Sequence, residues 1–325
     1  MRAVTIVEPG GPEVLRINDV ADPVPGPGDV VIDVHATALN RADLLQRRGF
    51  YPPPKGASEI LGLECTGTVA AQGADVQDPP VGARVMALLA GGGYAEKVVV
   101  PREHLIPIPE TMSFTDAAAI PEAFMTAHEA LVTEGQTQPG NTVLIHAAAG
   151  GVGTAAVQLA KLLGADVVAT AGSPAKLERV KQLGADVMVN YREDDFVAAL
   201  RARPSRGADV ILDFVGAANA ERHQACLNPG GRWVVIGLLG GLRAEIDFSR
   251  ILMARQRILG LVMRSRSRQD KAAIARRFQR EILPHLVSGK LTPIVDRTFP
   301  LDEARSAHEL MERNENVGKI VLSVR

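Results

Sequence analysis

Cysteine is scarce in this sequence, which excludes two common ways of stabilising a fold. The 325 residues include two cysteines, Cys65 and Cys226, which are far apart and fall in different predicted elements. Neither a disulfide framework nor a cysteine-rich zinc knuckle is compatible with that number and spacing. We therefore expect two buried thiols.

Excess charge and aromatic side chains are also in short supply. The formal net charge is −1, and Phe, Trp and Tyr make up 4% of the residues. A surface that binds nucleic acid normally combines a basic groove with aromatic side chains that stack on bases. Neither nucleic acid nor an anionic membrane is therefore expected as the main partner.

Long apolar runs are missing as well. No segment approaches the roughly 20 apolar residues of a membrane-spanning helix. The N-terminus lacks the charged, apolar and small-residue succession of a secretion signal. These absences favour a soluble, cytoplasmic protein, and a length of 325 residues with 46% hydrophobic residues fits two domains better than one.

The most informative segment reads as strand, glycine turn and helix. The apolar run Val143–Ile145 leads into a turn with Gly150 and Gly153, while Ala148 stands where the usual fingerprint has its first glycine. Such a turn lets the backbone approach a pyrophosphate, and the helix N-terminus presents N–H groups to it. Taken alone, the incomplete match is also compatible with a plain strand-to-helix connection.

The following residues favour dinucleotide binding. The tetrapeptide Gly-Ala-Asp-Val opens short apolar runs at 164–167, 184–187 and 207–210, and further apolar runs lie at 233–237 and 258–262. The spacing leaves room for one helix between consecutive runs. Apolar strands that alternate with helices indicate a parallel sheet covered on both faces, so we predict a doubly wound Rossmann domain.

The end of the second predicted strand indicates the cofactor. NAD-binding chains usually place a carboxylate there, about 20 residues beyond the glycines, whereas residues 170–176 contain none. The hydroxyl of Ser173 and the ammonium of Lys176 suit a 2′-phosphate, which predicts NADPH over NADH. Alternatively, Ser173 and Pro174 cap the next helix and Lys176 is solvated, and both interpretations are compatible.

The first 120 residues differ in character from the centre of the chain. Short strand patterns such as Val30–Val34 and Arg84–Leu88 are separated by turns rich in proline and glycine, which predicts a β-rich domain. A helical pattern covers 122–131. We expect the tail after residue 264 to return to this domain, which gives predicted domains of 1–122 with 265–325, and 123–264.

Motifs along the whole chain resemble the zinc-independent quinone oxidoreductases of the zeta-crystallin type, which are medium-chain dehydrogenase/reductases. The resemblance implies a GroES-like β domain beside a Rossmann domain, an active site in the cleft, and dimers formed through the Rossmann sheet. The motifs that carry it are Pro9–Pro12, Pro25–Asp29, Ala38–Asp43, Gly49–Pro54, Ile120-Pro121, His146–Gly153, Asn190-Tyr191 and Gly318–Ile320.

The resemblance also implies that no catalytic metal is bound. Zinc-dependent relatives have a cysteine where this chain has Asn40, and Gly-His-Glu where it has Gly62-Leu63-Glu64. A catalytic zinc site needs about three protein ligands among Cys, His and carboxylates. Cys65 beside Glu64 does not replace the missing ligands.

The chemistry implied by the resemblance is hydride transfer from NADPH to a quinone, for which the cofactor carries the reaction. Asn40, Asp43 and Tyr51 would line the site, and Tyr51 or Asn40 would donate a hydrogen bond to the developing oxyanion. The alternatives are that Asn40 and Asp43 form a turn or cap, and that Tyr51 packs on the prolines that follow it.

Cofactor contacts follow from the same resemblance and from the motifs above. Arg264 is included, whereas Arg266 and Arg268 are interpreted as a solvated loop, and His146 as an internal hydrogen-bonding residue rather than a general base. The predicted cofactor residues are Thr126, Gly150, Gly151, Val152, Gly153, Ser173, Lys176, Tyr191, Gly237, Leu238, Leu239, Arg264 and Asn314.

Two other functions remain open. Relatives with the same fold reduce the carbon–carbon double bond of an enone or enoyl thioester. Other relatives are abundant structural or single-stranded RNA-binding proteins that retain NADPH affinity, although the near-neutral charge and 4% aromatic content argue against a dedicated RNA surface.

Overall fold

Two compact units make up the fold. The computed structural model describes residues 1–325, and its contacts separate Met1–Met125 with Met263–Arg325 from Thr126–Val262. The boundaries expected from the sequence were 122/123 and 264/265. The identification of these units as a catalytic domain and a cofactor domain stays a prediction.

Short strands dominate the first 125 residues, since prolines and glycines repeatedly interrupt the chain. The predicted turn around Pro23–Gly28 lies between two of them. The elements are β1 (Arg2–Ile6), β2 (Leu15–Asp19), β3 (Asp29–Ala38), α1 (Arg41–Arg47), β4 (Glu64–Gln72), β5 (Arg84–Leu88), β6 (Lys97–Pro101), β7 (Ile106–Pro107), α2 (Phe114–Ala118) and α3 (Pro121–His128).

Strands and helices alternate through the second unit. The helix expected over 122–131 ends at His128 and continues as a π-helical turn over Glu129–Glu134. The elements that follow are β8 (Thr142–Ile145), α4 (Gly151–Leu162), β9 (Asp166–Ala171), α5 (Pro174–Gln182), β10 (Val187–Asn190), α6 (Phe196–Arg201), β11 (Ala208–Asp213), α7 (Ala220–Cys226), β12 (Leu227–Val235), α8 (Phe248–Ala254) and β13 (Arg257–Gly260).

The six strands of this unit form one parallel sheet in the order β10-β9-β8-β11-β12-β13. The strand order reverses its direction at β8, which is the switch point of a doubly wound sheet. Leu144, Val168, Ile211 and Trp233 pack in its core. The predicted Rossmann fold is confirmed, and ligands of such sheets bind beyond the carboxyl ends of the strands.

The C-terminal segment completes the first unit. Its elements are α9 (Arg268–Glu281), α10 (Leu283–Val287), β14 (Val295–Pro300), α11 (Ala304–Glu312) and β15 (Lys319–Ser323). Strand β15 pairs antiparallel with β3, and the seven-stranded sheet has the order β14-β15-β3-β4-β5-β7, with β6 also on β3. Ile32, Tyr94, Leu310 and Ile320 share its core. No helix of either unit combines the length and apolar character needed to cross a lipid bilayer.

Both cysteines are buried free thiols, as expected. His146 is also buried, and its Nε2 lies 2.8 Å from Nε2 of His223, while its Nδ1 lies 3.0 Å from Oγ1 of Thr170. Burial lowers the pKa of His146 to about 3 and that of His223 to about 2. Both rings are therefore neutral, and the interpretation of His146 as an internal hydrogen-bonding residue is confirmed.

This histidine pair makes stability depend on pH. The folded pKa values lie below the value of 6.5 for a free histidine, so below that pH the unfolded chain binds more protons and folding is disfavoured. We expect the melting temperature to fall between pH 7 and pH 5, and a His146→Asn/His223→Asn variant to show less of that decrease. Scanning fluorimetry measures both, with half-buried His285→Asn as control. An unchanged pH dependence in the double variant would contradict the expectation.

Candidate active site

The glycine turn of the second unit leaves a helix N-terminus open. Gly150 is the N-cap of α4 and offers no side chain to accept from the N–H groups of the first turn. A Cβ on Gly153 would lie 2.4 Å from the carbonyl oxygen of Ala147 and 2.6 Å from Cα of Ala148. Only glycine therefore allows this close packing of helix and turn.

The missing first glycine has a local explanation. The left-handed conformation of this turn falls on Ala147, with φ of +46°, and not on Ala148. Because Ala148 keeps an ordinary backbone conformation, it tolerates a Cβ where the usual fingerprint has glycine. The turn thus retains the open N–H groups of Gly151, Val152 and Gly153 that an anionic ligand needs.

Thr126 contributes an unsatisfied polar atom. Its Oγ1 is buried and has no hydrogen-bond partner within the chain. A buried hydroxyl without a hydrogen-bond partner destabilises the fold by about 1–3 kcal/mol. A bound ligand that supplied a partner would remove this cost. Together with the open turn of α4, this orphaned hydroxyl fits a dinucleotide.

The ends of β9 and β10 bring three predicted cofactor residues together. Ser173 is the N-cap of α5, its Oγ accepts from the backbone N–H of Lys176 at 3.4 Å, and Pro174 follows at the first helical position. The capping interpretation is therefore confirmed. A Cβ on Gly172 would lie 2.4 Å from the hydroxyl oxygen of Tyr191, which places this ring beside the cap.

Gly237, Leu238 and Leu239 follow β12 at the same carboxyl edge of the sheet. The N–H of Gly237 donates to the carbonyl oxygen of Asp213 at 3.1 Å, and both leucines are exposed. The structure thus gathers the predicted residues of the glycine turn, the β9 end and the β12 end along one edge.

In the first unit, a buried lysine contacts Asn40 and Glu64, two of the positions compared above with zinc-dependent enzymes. The Nζ of Lys319 lies 2.7 Å from the carbonyl oxygen of Leu39, 2.6 Å from Oδ1 of Asn40 and 2.7 Å from Oε1 of Glu64. These three acceptors satisfy all three N–H donors of the ammonium. We call Lys319, Asn40 and Glu64 the ammonium cluster.

The ammonium cluster uses every polar atom of Asn40. Its Nδ2 donates to Oε1 of Glu64 at 2.9 Å and to the carbonyl oxygen of Ala38 at 3.3 Å. The second oxygen of Glu64 accepts from the backbone N–H of Glu122 at 2.8 Å. Asn40 therefore has no N–H group left to donate to a ligand. These contacts agree with a role in which Asn40 shapes the site.

Asp43 is likewise enclosed. It is the third residue of α1, and its carboxylate accepts from the backbone N–H groups of Asn40 at 2.7 Å and of Gly62 at 3.2 Å, and from the hydroxyl of Tyr94 at 3.3 Å. Burial raises its pKa to about 6. The first of these bonds is the helix-capping contact considered as an alternative from the sequence.

A directed hydrogen-bond chain ends on Asp43. Arginine only donates, so Nδ1 of His308, 3.1 Å from Nη1 of Arg47, accepts and the ring carries its proton on Nε2. Burial lowers the pKa of His308 to about 3, so the ring is neutral. Its Nε2–H donates to the hydroxyl oxygen of Tyr94 at 3.3 Å, which leaves the Tyr94 proton for Asp43.

Tyr51 remains available for a ligand. It is half-buried, and the guanidinium carbon of Arg264 lies 5.1 Å from its ring centroid. Arg264 also donates to the carbonyl oxygen of Tyr51 at 3.1 Å, to that of Ala90 at 2.7 Å and to Oε1 of Gln46 at 2.7 Å. Burial raises the pKa of Tyr51, opposed by Arg264. The Tyr51 hydroxyl makes no hydrogen bond within the chain.

Arg264 and Asn314 both lie in the first unit. Oδ1 of Asn314 accepts a hydrogen bond from Arg41 at 2.8 Å. The cofactor contacts of Arg264 and Asn314 stay predictions. Arg268 was expected in a solvated loop; its side chain is exposed as expected, but the residue lies in a helix and not in a loop. It begins α9 and forms ion pairs with Asp29 at 2.9 Å and Glu103 at 2.5 Å, because its long side chain reaches two carboxylates.

No group of three or more His, Cys, Asp and Glu side chains is arranged to hold a metal ion. Burial and the neighbouring Glu64 raise the pKa of the Cys65 thiol well above its usual value. Cys65 is thus held in the protonated form, which is not the form that ligates metals.

Two protein-family models match the chain. The alcohol dehydrogenase GroES-like domain covers residues 26–110, and the domain described as zinc-binding dehydrogenase covers residues 151–280. Quinone oxidoreductase of Mus musculus is 31% identical over 328 residues, which are 99% of this chain and 97% of that protein.

A much larger protein also matches. It is one of the subunits of the phenolphthiocerol/phthiocerol polyketide synthase of Mycobacterium tuberculosis, and it is 33% identical over 320 residues, which are 98% of this chain. The chain spans only 14% of the length of that relative.

Solved structures agree over the full length. Escherichia coli quinone oxidoreductase in complex with NADPH has a TM-score of 0.90 at 28% identity, covering 99% of this chain and 100% of that one. An NAD-dependent alcohol dehydrogenase has a TM-score of 0.89 at 36% sequence identity, with 100% of each chain covered. The CurK enoyl reductase has a TM-score of 0.88 at 31% sequence identity, and the match covers 99% of this chain and 98% of that one.

The GroES-like and Rossmann folds define a medium-chain dehydrogenase/reductase. Within that class the chain belongs to the zinc-independent quinone oxidoreductase family. The relatives of similar length include quinone oxidoreductases, which favours an enzyme over the non-enzymatic alternative.

The ammonium cluster makes a stability prediction. We expect Lys319→Met to lower the free energy of unfolding by about 3–5 kcal/mol, because Glu64 then becomes a buried carboxylate without its cation. Lys319→Met combined with Glu64→Gln should restore part of that loss. Urea unfolding measures both, and Lys290→Met, at an exposed lysine, is the matched control. A loss no larger than that of the control would refute the prediction.

Proposed function

We propose that this chain is an NADPH-dependent quinone oxidoreductase that works without a metal. The observation that carries the proposal is the end of β9, where Ser173 and Lys176 stand at the start of α5 and no carboxylate occupies residues 171–176. A hydroxyl and an ammonium suit the 2′-phosphate that distinguishes NADPH from NADH.

Further contacts support a bound dinucleotide. The uncapped N-terminus of α4 suits the pyrophosphate, and the orphaned Thr126 hydroxyl needs a partner. Arg264 and Asn314 are also proposed as cofactor contacts, in addition to their hydrogen bonds to residues of the first unit. The other proposed contacts are Gly150, Gly151, Val152, Gly153, Tyr191, Gly237, Leu238 and Leu239.

The acceptor is proposed to meet Tyr51. When bound, the reduced nicotinamide supplies the hydride. An electron-poor quinone needs little activation, and the free hydroxyl of Tyr51 is a donor for the negative charge that develops on its oxygen. Asn40 and Asp43 act by holding the shape of the site, because their own polar atoms are already engaged.

A second candidate is reduction of the double bond of an enone or enoyl thioester. The similarity to the CurK enoyl reductase, at 31% identity, favours it. The same oxyanion donor would serve both reactions, because an enolate also develops negative charge on oxygen. The relative turnover of quinones and enones separates the two candidates.

The deciding experiment compares cofactors and a single lysine. We expect 1,2-naphthoquinone-dependent oxidation of NADPH to exceed that of NADH. Lys176→Ala should lower kcat/KM for NADPH about tenfold or more, because one charge-assisted contact contributes roughly 1.5–3 kcal/mol. The same substitution should leave kcat/KM for NADH nearly unchanged. Lys181→Ala, at an exposed lysine of the same helix, is the control.

Three results would change the proposal. Faster turnover of an enone than of quinones would select the second candidate. A preference for NADH, as the similarity to an NAD-dependent alcohol dehydrogenase allows, would remove the 2′-phosphate assignment. An equal effect of Lys181→Ala would show that Lys176 acts only through general charge.

We also propose that the protein is a homodimer joined through the six-stranded sheet. Strand β13 is an edge strand, with Ile258 exposed. Nearby in sequence, Phe248, Leu252 and Met253 of α8 are 76–79% exposed. An open strand edge and a set of exposed apolar side chains suit pairing with a second copy.

The dimer prediction is tested by solution mass. We expect a dimeric mass in sedimentation at micromolar protein, and a shift to monomer for Leu252→Glu, which places a charge among the exposed apolar side chains. Val287→Glu alters an exposed residue of α10 and serves as the control. A monomeric native protein would exclude the dimer.

A further inference from the structure

One carboxyl group beside the ammonium cluster has no structural task. We propose that Glu122 is the acid that protonates the reduced acceptor, a role that rests on the proposed function. Hydride transfer leaves negative charge on an acceptor oxygen, and the Glu122 carboxyl delivers the proton that neutralises it.

The surrounding polar groups are already used. Asn40, Glu64 and Lys319 satisfy one another in the ammonium cluster, and Asp43 accepts three hydrogen bonds. The side chain of Glu122 is half-buried and makes no hydrogen bond or ion pair within the chain. Together with the Tyr51 hydroxyl, it is thus free to meet a ligand.

The backbone fixes where Glu122 stands. Its N–H donates to Oε2 of Glu64 at 2.8 Å, which anchors the start of α3 on the ammonium cluster. This anchor holds the carboxyl within the first unit, close enough for its charge to act on Tyr51 and Arg264.

Charges from several elements act on this carboxyl. Burial raises its pKa most, Glu64 of β4 and Asp43 of α1 raise it further, and Lys319 of β15 and Lys271 of α9 lower it, with a result of about 8. Its own charge acts in turn on Tyr51 and Arg264. Lys271 donates to the carbonyl oxygen of Arg264 at 2.7 Å and forms no ion pair with Glu122.

The proton balance closes with water. As the hydride brings two electrons and one hydrogen to the quinone, the oxyanion that develops takes the Glu122 proton in the same step, which forms the hydroquinone. The Glu122 carboxylate then regains a proton from solvent. A carboxyl that is protonated near neutral pH suits this task, because a general acid works best when its pKa is close to the operating pH.

Glu122→Gln tests the role because it keeps the size and removes the acid. We expect single-turnover oxidation of NADPH by 1,2-naphthoquinone at pH 7 to slow about 100-fold. The native rate should fall as the pH rises through about 8, where Glu122 loses its proton, and this decline should vanish in Glu122→Gln. Tyr51→Phe should be slower than native yet keep the decline. Glu193→Gln, at an exposed glutamate, should match the native protein.

A readout without turnover accompanies the rates. In protein labelled with ¹³C at glutamate side-chain carboxyls, NMR should show one resonance that titrates near pH 8 and is missing from Glu122→Gln. This measurement needs only the native fold, so it also decides the matter if the variant does not accumulate. Absence of such a resonance from the native protein overturns the inference.

The possible failures are distinguishable. A Glu122→Gln rate within about threefold of native, or a persistent decline above pH 8, overturns the role of Glu122 and leaves the quinone oxidoreductase proposal standing. A native protein that reduces neither quinone nor enone with either cofactor overturns the proposed function, and the inference falls with it.

Discussion

A buried ammonium ion sets the conditions for the rest of the first unit. A charge removed from water needs compensation on every side, and Lys319 obtains it from Leu39, Asn40 and Glu64. All three acceptors precede Lys319 by more than 250 residues, so the ion ties β15 to β4 and to the entry of α1. Glu64 also fixes the start of α3, because its second oxygen accepts from the backbone N–H of Glu122.

The fold follows largely from local patterns, whereas its exceptions depend on distant contacts. The parallel strands of the second unit coincide with apolar runs between glycine turns, because a strand buried on both faces must be apolar along its length. The π-helical turn after His128 has no such local signature. Nor does the position of β15 between β14 and β3, because β3 lies almost 300 residues earlier in the chain and no local pattern identifies it as the partner.

The candidate site divides in the same way. The glycine turn and the Ser173 cap are readable because their spacing is local. The Asp43, Tyr94 and His308 chain and the Lys319–Glu64 pair join residues separated by 50 to more than 250 positions. The sequence does contain one signal for Lys319, because it is a lone cation at the start of an apolar strand. A cation in such a position needs a buried acid as its partner. Nothing in the sequence identified that acid as Glu64.

The return of the chain to its first unit has a consequence for the order of assembly. Residues 126–262 form a continuous segment and can fold as they emerge from the ribosome, since domains generally fold as units. The first unit must wait for β15, and until it arrives Glu64 and Asn40 have no ammonium to bind. The unit that is proposed to bind the nucleotide is therefore complete during synthesis well before the unit that is proposed to receive the acceptor.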